Sequence, residues 1–151
     1  MADARTYPTR PFLAVSAAIM RDGQVLLVRR ARPPAGGLFS LPGGVVEIGE
    51  TLTEALEREV REETSLTIAP VALAGYREVV ARDAEDKVER HFVILPFAAR
   101  WVSGEPRLNE ELSEWRWVDP GEIEGLPTTP GLAAIVAAAL ERLREAAEIS
   151  R

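Results

Sequence analysis

Residues Leu41–Leu66, LPGGVVEIGETLTEALEREVREETSL, decide how this chain is read. A proline–glycine turn runs into a short segment dense in glutamate. At about 100° per residue, Leu52, Ala55, Leu56 and Val60 fall on one face of a helix, and Glu59 and Glu63 fall within the same arc. A solvated acidic helix places its charges opposite the apolar stripe, as Glu54, Glu57 and Arg61 do. Glu59 and Glu63, with Glu62 at the edge, do not. Carboxylates turned towards an interior are costly unless a cation or a hydrogen-bond network compensates them. They are read as metal ligands, with a structural ion-pair network as the competing reading.

The spacing of the stretch resembles the Nudix hydrolase box, G-x5-E-x7-R-E-U-x-E-E-x-G-U with U aliphatic. Gly44, Glu50, Arg58, Glu59, Val60, Glu62, Glu63 and Leu66 match it, and Ser65 stands where the family has glycine. The resemblance implies an α/β fold, an α/β/α sandwich with a mixed β-sheet. It also implies a Mg²⁺-dependent (or Mn²⁺-dependent) pyrophosphohydrolase in which Glu59 and Glu63 bind the ion, Glu62 binds or supports a second, and the Gly43 carbonyl contributes. Arg58 would orient a glutamate, and its i, i+4 relation to Glu62 permits this. Glu50 would be an accessory acid. If the helix ends in a left-handed cap at Ser65, serine costs about 1 kcal/mol there relative to glycine.

The remainder of the chain has the composition of one globular domain. It has 151 residues, 46% hydrophobic and 28% charged, enough for one sizeable core. Residues 1–11 are expected to form a flexible arm and 12–151 a single domain. With no cysteine, disulfides, thiolate nucleophiles and zinc–thiolate sites are excluded, and a reducing, cytoplasmic setting is permitted. A net charge of −6 argues against binding a polynucleotide through a basic surface. It is compatible with a small nucleotide held through a divalent cation. No apolar run reaches the roughly 18 residues that span a bilayer, so no membrane association is expected.

Along the chain, Phe12–Met20 and Gln24–Arg30 read as strands joined by a hairpin turn at Asp22-Gly23. Phe12–Met20 is read as a strand and not as a signal-peptide core, because Arg21 and Asp22 follow without a small-residue cleavage site. Arg29 and Arg30 close the second strand. Alternation sends them to opposite faces, so at most one reaches a substrate phosphate. Pro42-Gly43-Gly44 is read as a turn using backbone angles closed to other residues. Thr51 and Glu54 form a capping box that starts the helix near Leu52. After it, 71–81 and 88–101 read as long strands, with Pro96 demoting the second to an edge or a bulge. His91, the one histidine, is read as an ordinary strand residue. Glu111 and Glu114 lie in and just after an acidic loop, a place that supplies an extra ligand or a general base in some members of the resembled family. Trp115 and Trp117 share a strand face, where one could stack on a base; core packing is the preferred reading. Thr129 and Pro130 open a last helix, which covers the sheet or a second copy of the chain in a homodimer.

Two functions follow. One is hydrolysis of a nucleoside diphosphate linked to another moiety, such as ADP-ribose, or of a nucleoside triphosphate. The other is a non-catalytic nucleotide-sensing or protein-binding module on the same fold.

Overall fold

The structure is a computed structural model that describes residues 5–33 and 35–149. Met1–Ala4 of the expected arm, Pro34, and Ser150–Arg151 lie outside the described residues. Strands β1 (Phe12–Arg21), β2 (Gln24–Arg30), β3 (Phe39–Ser40), β4 (Gly43–Val45), β5 (Thr67–Leu73), β6 (Arg77–Arg82), β7 (Val88–Ser103) and β8 (Leu112–Val118) form one mixed sheet. β1 runs parallel to β7, and the other named strand pairs are antiparallel. Helix α1 (Leu52–Thr64) and helix α2 (Leu132–Ile149) complete the chain, with a 3-10 turn at Pro120–Gly125 that the sequence did not announce.

The strands alternate between two cores, which is what makes the layers. Val15, Ala17, Ile19, Leu26 and Val28 pack with Ala55, Leu56 and Val60 of α1. Ala18, Val25 and Leu27 point the other way and pack with Leu132, Val136, Ala139 and Leu143 of α2. Residues one apart on a strand thus serve opposite faces, and the sheet is buried between two helices in an α/β/α sandwich. α2 is accounted for by this packing against the sheet.

Local chemistry explains the elements. The hairpin turn closes with Asp22 and Gly23 both at positive φ, 51° and 81°, the geometry of a two-residue turn matched to strand twist. Thr51 accepts from the Glu54 amide while the Glu54 side chain accepts from the Thr51 amide, so the capping box is formed. The helix ends at Ser65, which is left-handed at φ 67°, and its hydroxyl donates to the Arg107 carbonyl at 3.1 Å. Tyr7 fastens the N-terminal arm to the β6–β7 hairpin: its amide donates to the Glu89 carbonyl and its hydroxyl to Asp83.

Four expectations need correction. The stretch 71–81 is two strands, broken at Ala74–Tyr76 where Gly75 takes φ 126°, and both pair with β7. Pro96 lies in a central strand, with β1 on one side and the β5–β6 break on the other. Its carbonyl accepts from Ala74. Since the N and O of a strand residue face the same neighbour, its missing donor falls at that break. α2 begins at Leu132, two residues late, because Gly131 is left-handed at φ 78°. Gly43 and Gly44 are not at positive φ. They are glycines for room: a Cβ on Gly43 would collide with the Val15 carbonyl and Ser16 Cα of β1, and one on Gly44 with the Glu59 carboxylate.

Gly43→Ala therefore cannot be accommodated without moving backbone. It should destabilise the fold by about 3 kcal/mol, the upper range for overpacking, read as a lower denaturant midpoint with unchanged slope.

Candidate active site

The site is built where α1 crosses the start of β4. Glu63 is 1% exposed. One of its oxygens accepts from the Gly43 amide at 2.9 Å and the other from Arg30 Nη1 at 2.8 Å. Arg30 also donates through Nη2 to the Leu41 carbonyl and through Nε to Ser40 Oγ. It ties β2, the β3–β4 segment and α1 together. Burial pushes Glu63 up to about 7, against the pull of Arg30 and the Gly43 amide, and the charge of Glu111 adds to the rise.

Arg58 forms the second cluster. Its Nε and Nη2 hold both oxygens of Glu50 at 2.6 and 2.8 Å. Nη1 reaches Glu59 at 2.9 Å and Glu62 at 3.2 Å, and Nη2 also donates to the Val45 carbonyl. The Arg58 fork brings Glu50 down to about 2, helped by the Glu47 amide. Glu59 is raised by burial, with Arg58 opposing and Glu62 and Glu111 adding to it. Glu62 is the exposed member of the set.

Glu111 enters from the loop after β7. That loop is fastened to the end of α1 by the Arg107 and Asn109 amides, which donate to the Thr64 and Glu63 carbonyls. The Asn109 side chain in turn caps the Glu111 amide at 3.0 Å. Glu111 is thereby close enough for its charge to act on both Glu59 and Glu63.

The structure therefore brings Gly43, Arg30, Arg58, Glu59, Glu62, Glu63 and Glu111 together, and separates Arg29 and Glu114 from them. Arg29 faces the α2 side, donating to the Gly37 carbonyl and to Glu114, with its guanidinium over Phe39. Glu114, lowered by Arg116 and then Arg29, is neutralised there. Trp117 packs against the core on the α1 side, but Trp115 is 40% exposed, so core packing does not hold for it. His91 is half-buried in β7. Ser40 and Asn109 were missed. Asn109, two residues before Glu111, carried the signal of an Asx turn; Ser40 carried none, because a serine in a two-residue strand has no distinctive pattern.

Among the described residues, no three carboxylates are gathered as a ready-made metal cage. The donor set nonetheless fits a hard cation. All the donors are oxygens, two of them sit on carboxylates whose burial disfavours their charge, and the bare backbone of Gly44 lets the Glu59 carboxylate lie against it. Gathering them requires Glu59 and Glu62 to exchange Arg58 for the ion.

With a carboxylate-bearing helix seated on a mixed sheet and glycine backbone against its acids, this chain resembles the known proteins of one family. The NUDIX domain family matches residues 10–139, and the chain belongs to it. It is 35% identical over 109 residues, 72% of this chain, to an ADP-ribose pyrophosphatase of Methanocaldococcus jannaschii, and 34% identical over 122 residues, 76% of this chain, to an NAD-capped RNA hydrolase of Actinobacillus succinogenes. It spans 62% and 43% of those proteins. The crystal structure of a MutT NUDIX hydrolase from Burkholderia pseudomallei superposes with a TM-score of 0.74 at 30% identity, covering 85% of this chain and 98% of the other.

A carboxyl group raised above its unfolded value makes the fold bind its proton more tightly, so stability falls as pH rises from the unfolded value towards the folded one. For Glu63 that window runs from 4.5 to about 7. In chelator, wild-type protein should lose about 3 kcal/mol across it. Glu63→Gln should flatten that slope, as read by denaturation at a series of pH values.

Proposed function

We propose that this chain is a divalent-metal-dependent pyrophosphohydrolase acting on a nucleoside diphosphate joined to a second moiety, of the ADP-ribose kind. The observation that carries this reading is the carboxylate pair on α1, buried Glu63 and half-buried Glu59, set against glycine backbone with Glu62 and Glu111 at its rim. Such a constellation has no packing value of its own, because paired hydrophobic residues would hold the helix at lower cost. The substrate class draws on the relatives: the substrates named for both curated proteins carry a pyrophosphate between an adenosine and another group. A nucleoside triphosphate is the second substrate in view, since another relative, 32% identical over 120 residues, is named a putative 8-oxo-dGTP diphosphatase.

In this reading Glu59 and Glu63 bind Mg²⁺ or Mn²⁺, Glu62 binds or supports a second ion, and the Gly43 carbonyl assists. When bound, the ion screens the pyrophosphate, polarises the phosphorus–oxygen bond and lowers the pKa of a coordinated water. The protein's own groups do the rest. Arg30 and the Gly43 amide fix the carboxylate of Glu63. Arg58 fixes Glu50 and holds Glu59 and Glu62 until the ion takes them. Glu111, exposed at the loop and tied through Asn109, takes the proton of the attacking water. Attack at phosphorus breaks one anhydride bond and leaves a nucleoside monophosphate and the remaining phosphorylated half. A cytoplasmic setting and a homodimer accompany the proposal.

Turnover of ADP-ribose with Mg²⁺ should vanish on adding excess EDTA and return with Mg²⁺. Glu59→Gln and Glu63→Gln should each lower kcat at least about 10³-fold, and Glu111→Gln about 10²-fold. Product chromatography measures all three, and wild-type rates in the two α1 variants would remove the mechanism.

A further inference from the structure

Strand β6 (Arg77–Arg82) is an outer strand of the sheet. Among the described residues it pairs with β7 and has no strand on its other side. Asp83, just beyond it, donates its amide to the Lys87 carbonyl across the hairpin. Alternate residues of a strand turn their N–H and C=O to the same neighbour, so Ala81, Val79 and Arg77 address β7. Arg82, Val80 and Glu78 present theirs outward. A bare strand edge is a template for a further strand.

The side chains of β6 are equally unsatisfied. Glu78, Val80 and Arg82 are exposed, and Val80 leaves 48% of a large apolar residue in water. Arg77 is half-buried, meets no carboxylate among the described residues, and has its charge opposed by burial. Glu78 likewise meets no cation among them. Arg82 reaches Asp86 at 3.9 Å between side chains that are 52% and 87% exposed, a contact worth little. One oxygen of Asp83 accepts from the Glu85 and Lys87 amides and the other from the Tyr7 hydroxyl, which leaves that second oxygen a lone pair to spare.

Charges on an edge strand ordinarily block pairing, but here they block only the wrong register. A second copy related by a two-fold axis perpendicular to the sheet would add an antiparallel strand. Because side chains alternate, such an axis sets residues of like parity opposite each other. Centred on Val79, it puts Glu78 opposite Val80 and Arg77 opposite Ala81; centred on Ala81, it puts Arg82 opposite Val80 and Glu78 opposite Ala84. Centred on Val80, it puts Glu78 opposite Arg82 and Arg77 opposite Asp83, each pair occurring twice by symmetry, with the two valines meeting at the axis. Opposite charges directly across a ladder stabilise it, so the charge pattern selects the last of these registers.

We propose that β6 is the interface of a homodimer, in which two copies of the chain join edge to edge, antiparallel about Val80, with Glu78 against Arg82 of the second copy and Arg77 against its Asp83. The two sheets become one. Helix α2, the other surface that could have covered a second copy, is taken up by its own sheet. Six paired residues bury less than a standard interface, so the dimer is weak and concentration-dependent. The proposal is independent of the hydrolase reading and uses none of the acids of α1.

Sedimentation velocity of the full chain should show a reversible dimer that high salt weakens. Glu78→Arg and Arg82→Glu each set like charges across the axis and should raise the dimer Kd at least about tenfold. Mixed in equal amounts, these two variants should dimerise with each other, because each cross-strand pair then joins an arginine to a glutamate. As the chain has no cysteine, Val80→Cys places the sole thiol at the axis, where paired Cα atoms lie about 5.5 Å apart, within disulfide reach. Mild oxidation should link that variant covalently, and Glu78→Cys, set opposite Arg82, far less. Thermal unfolding by circular dichroism checks that every variant is folded. A wild type that stays monomeric at concentrations approaching about 1 mM overturns the proposal. A dimer that both charge reversals leave unchanged, or whose folded Val80→Cys variant does not cross-link, overturns it too, since that dimer would use another surface. None of these measurements reads turnover, so each outcome leaves the hydrolase reading where it stands.

Discussion

Much of this structure answers to the burial of one carboxylate. Glu63 lies 1% exposed beneath the first strand residues of β4, and a buried charge left unpaired costs several kcal/mol. Two donors meet it, the Gly43 amide and Arg30, and each imposes a condition elsewhere. For the amide to reach Glu63, β4 must lie so close to β1 that position 43 carries no Cβ. For Arg30 to reach it, the last residue of β2 must face α1, which sends Arg29 to the opposite side with Glu114 and Phe39. The remaining donors of Arg30 are then spent on Leu41 and Ser40, which fixes the approach of the chain to the glycines.

The second arginine works under different conditions. Arg58 is shared among Glu50, Glu59, Glu62 and a backbone carbonyl, nearer to solvent than Arg30–Glu63. Its bidentate hold on Glu50 anchors the guanidinium, and its contacts to Glu59 and Glu62 are single and longer. The acids are thus graded from a rigid, buried floor at Glu63 to an adaptable rim at Glu62. A preorganised floor holds geometry at low reorganisation cost, whereas a rim held by one hydrogen bond can turn to a new partner.

The box and the first hairpin were legible because each depends on local rules. Capping is a matter of Thr51 and Glu54, the hairpin of Asp22-Gly23, and the helix face of a 3.6-residue period. The anomaly of acids on the apolar face pointed to Glu59 and Glu63, which the structure sets against the backbone of Gly44 and Gly43. What the sequence could not supply was set by neighbours distant in the chain. Gly43 and Gly44 look like turn residues, and only the approach of Val15 and Glu59 shows that they are spacers. Pro96 looks like an edge marker until the break at Gly75 is seen to lie beside it. Arg29 and Arg30 were correctly divided by strand alternation, but which faced α1 depended on the pairing of β2 with β8 and β3. Ser65, a misfit by pattern, is a left-handed residue whose hydroxyl helps hold the Glu111 loop, so its strain is offset by a contact glycine could not make.

The charge of the site bears on how an acidic chain would admit the anionic substrate of the proposed reaction. Among the described residues, Glu50, Glu59, Glu62, Glu63 and Glu111 face Arg30 and Arg58, five carboxylates to two guanidiniums, a formal surplus of three negative charges. Burial works against the charge of Glu59 and Glu63 and raises both above the ordinary carboxylate range. A pyrophosphate brought against it would be repelled. In the proposed reaction one divalent cation would reduce the surplus to a single charge and a second would reverse it, so the same carboxylates that repel the substrate alone would recruit it together with its counter-ions. In the proposed reaction, metal binding and substrate binding are therefore coupled through this one cluster. The two arginines set how much of the negative charge is left for the metal to meet.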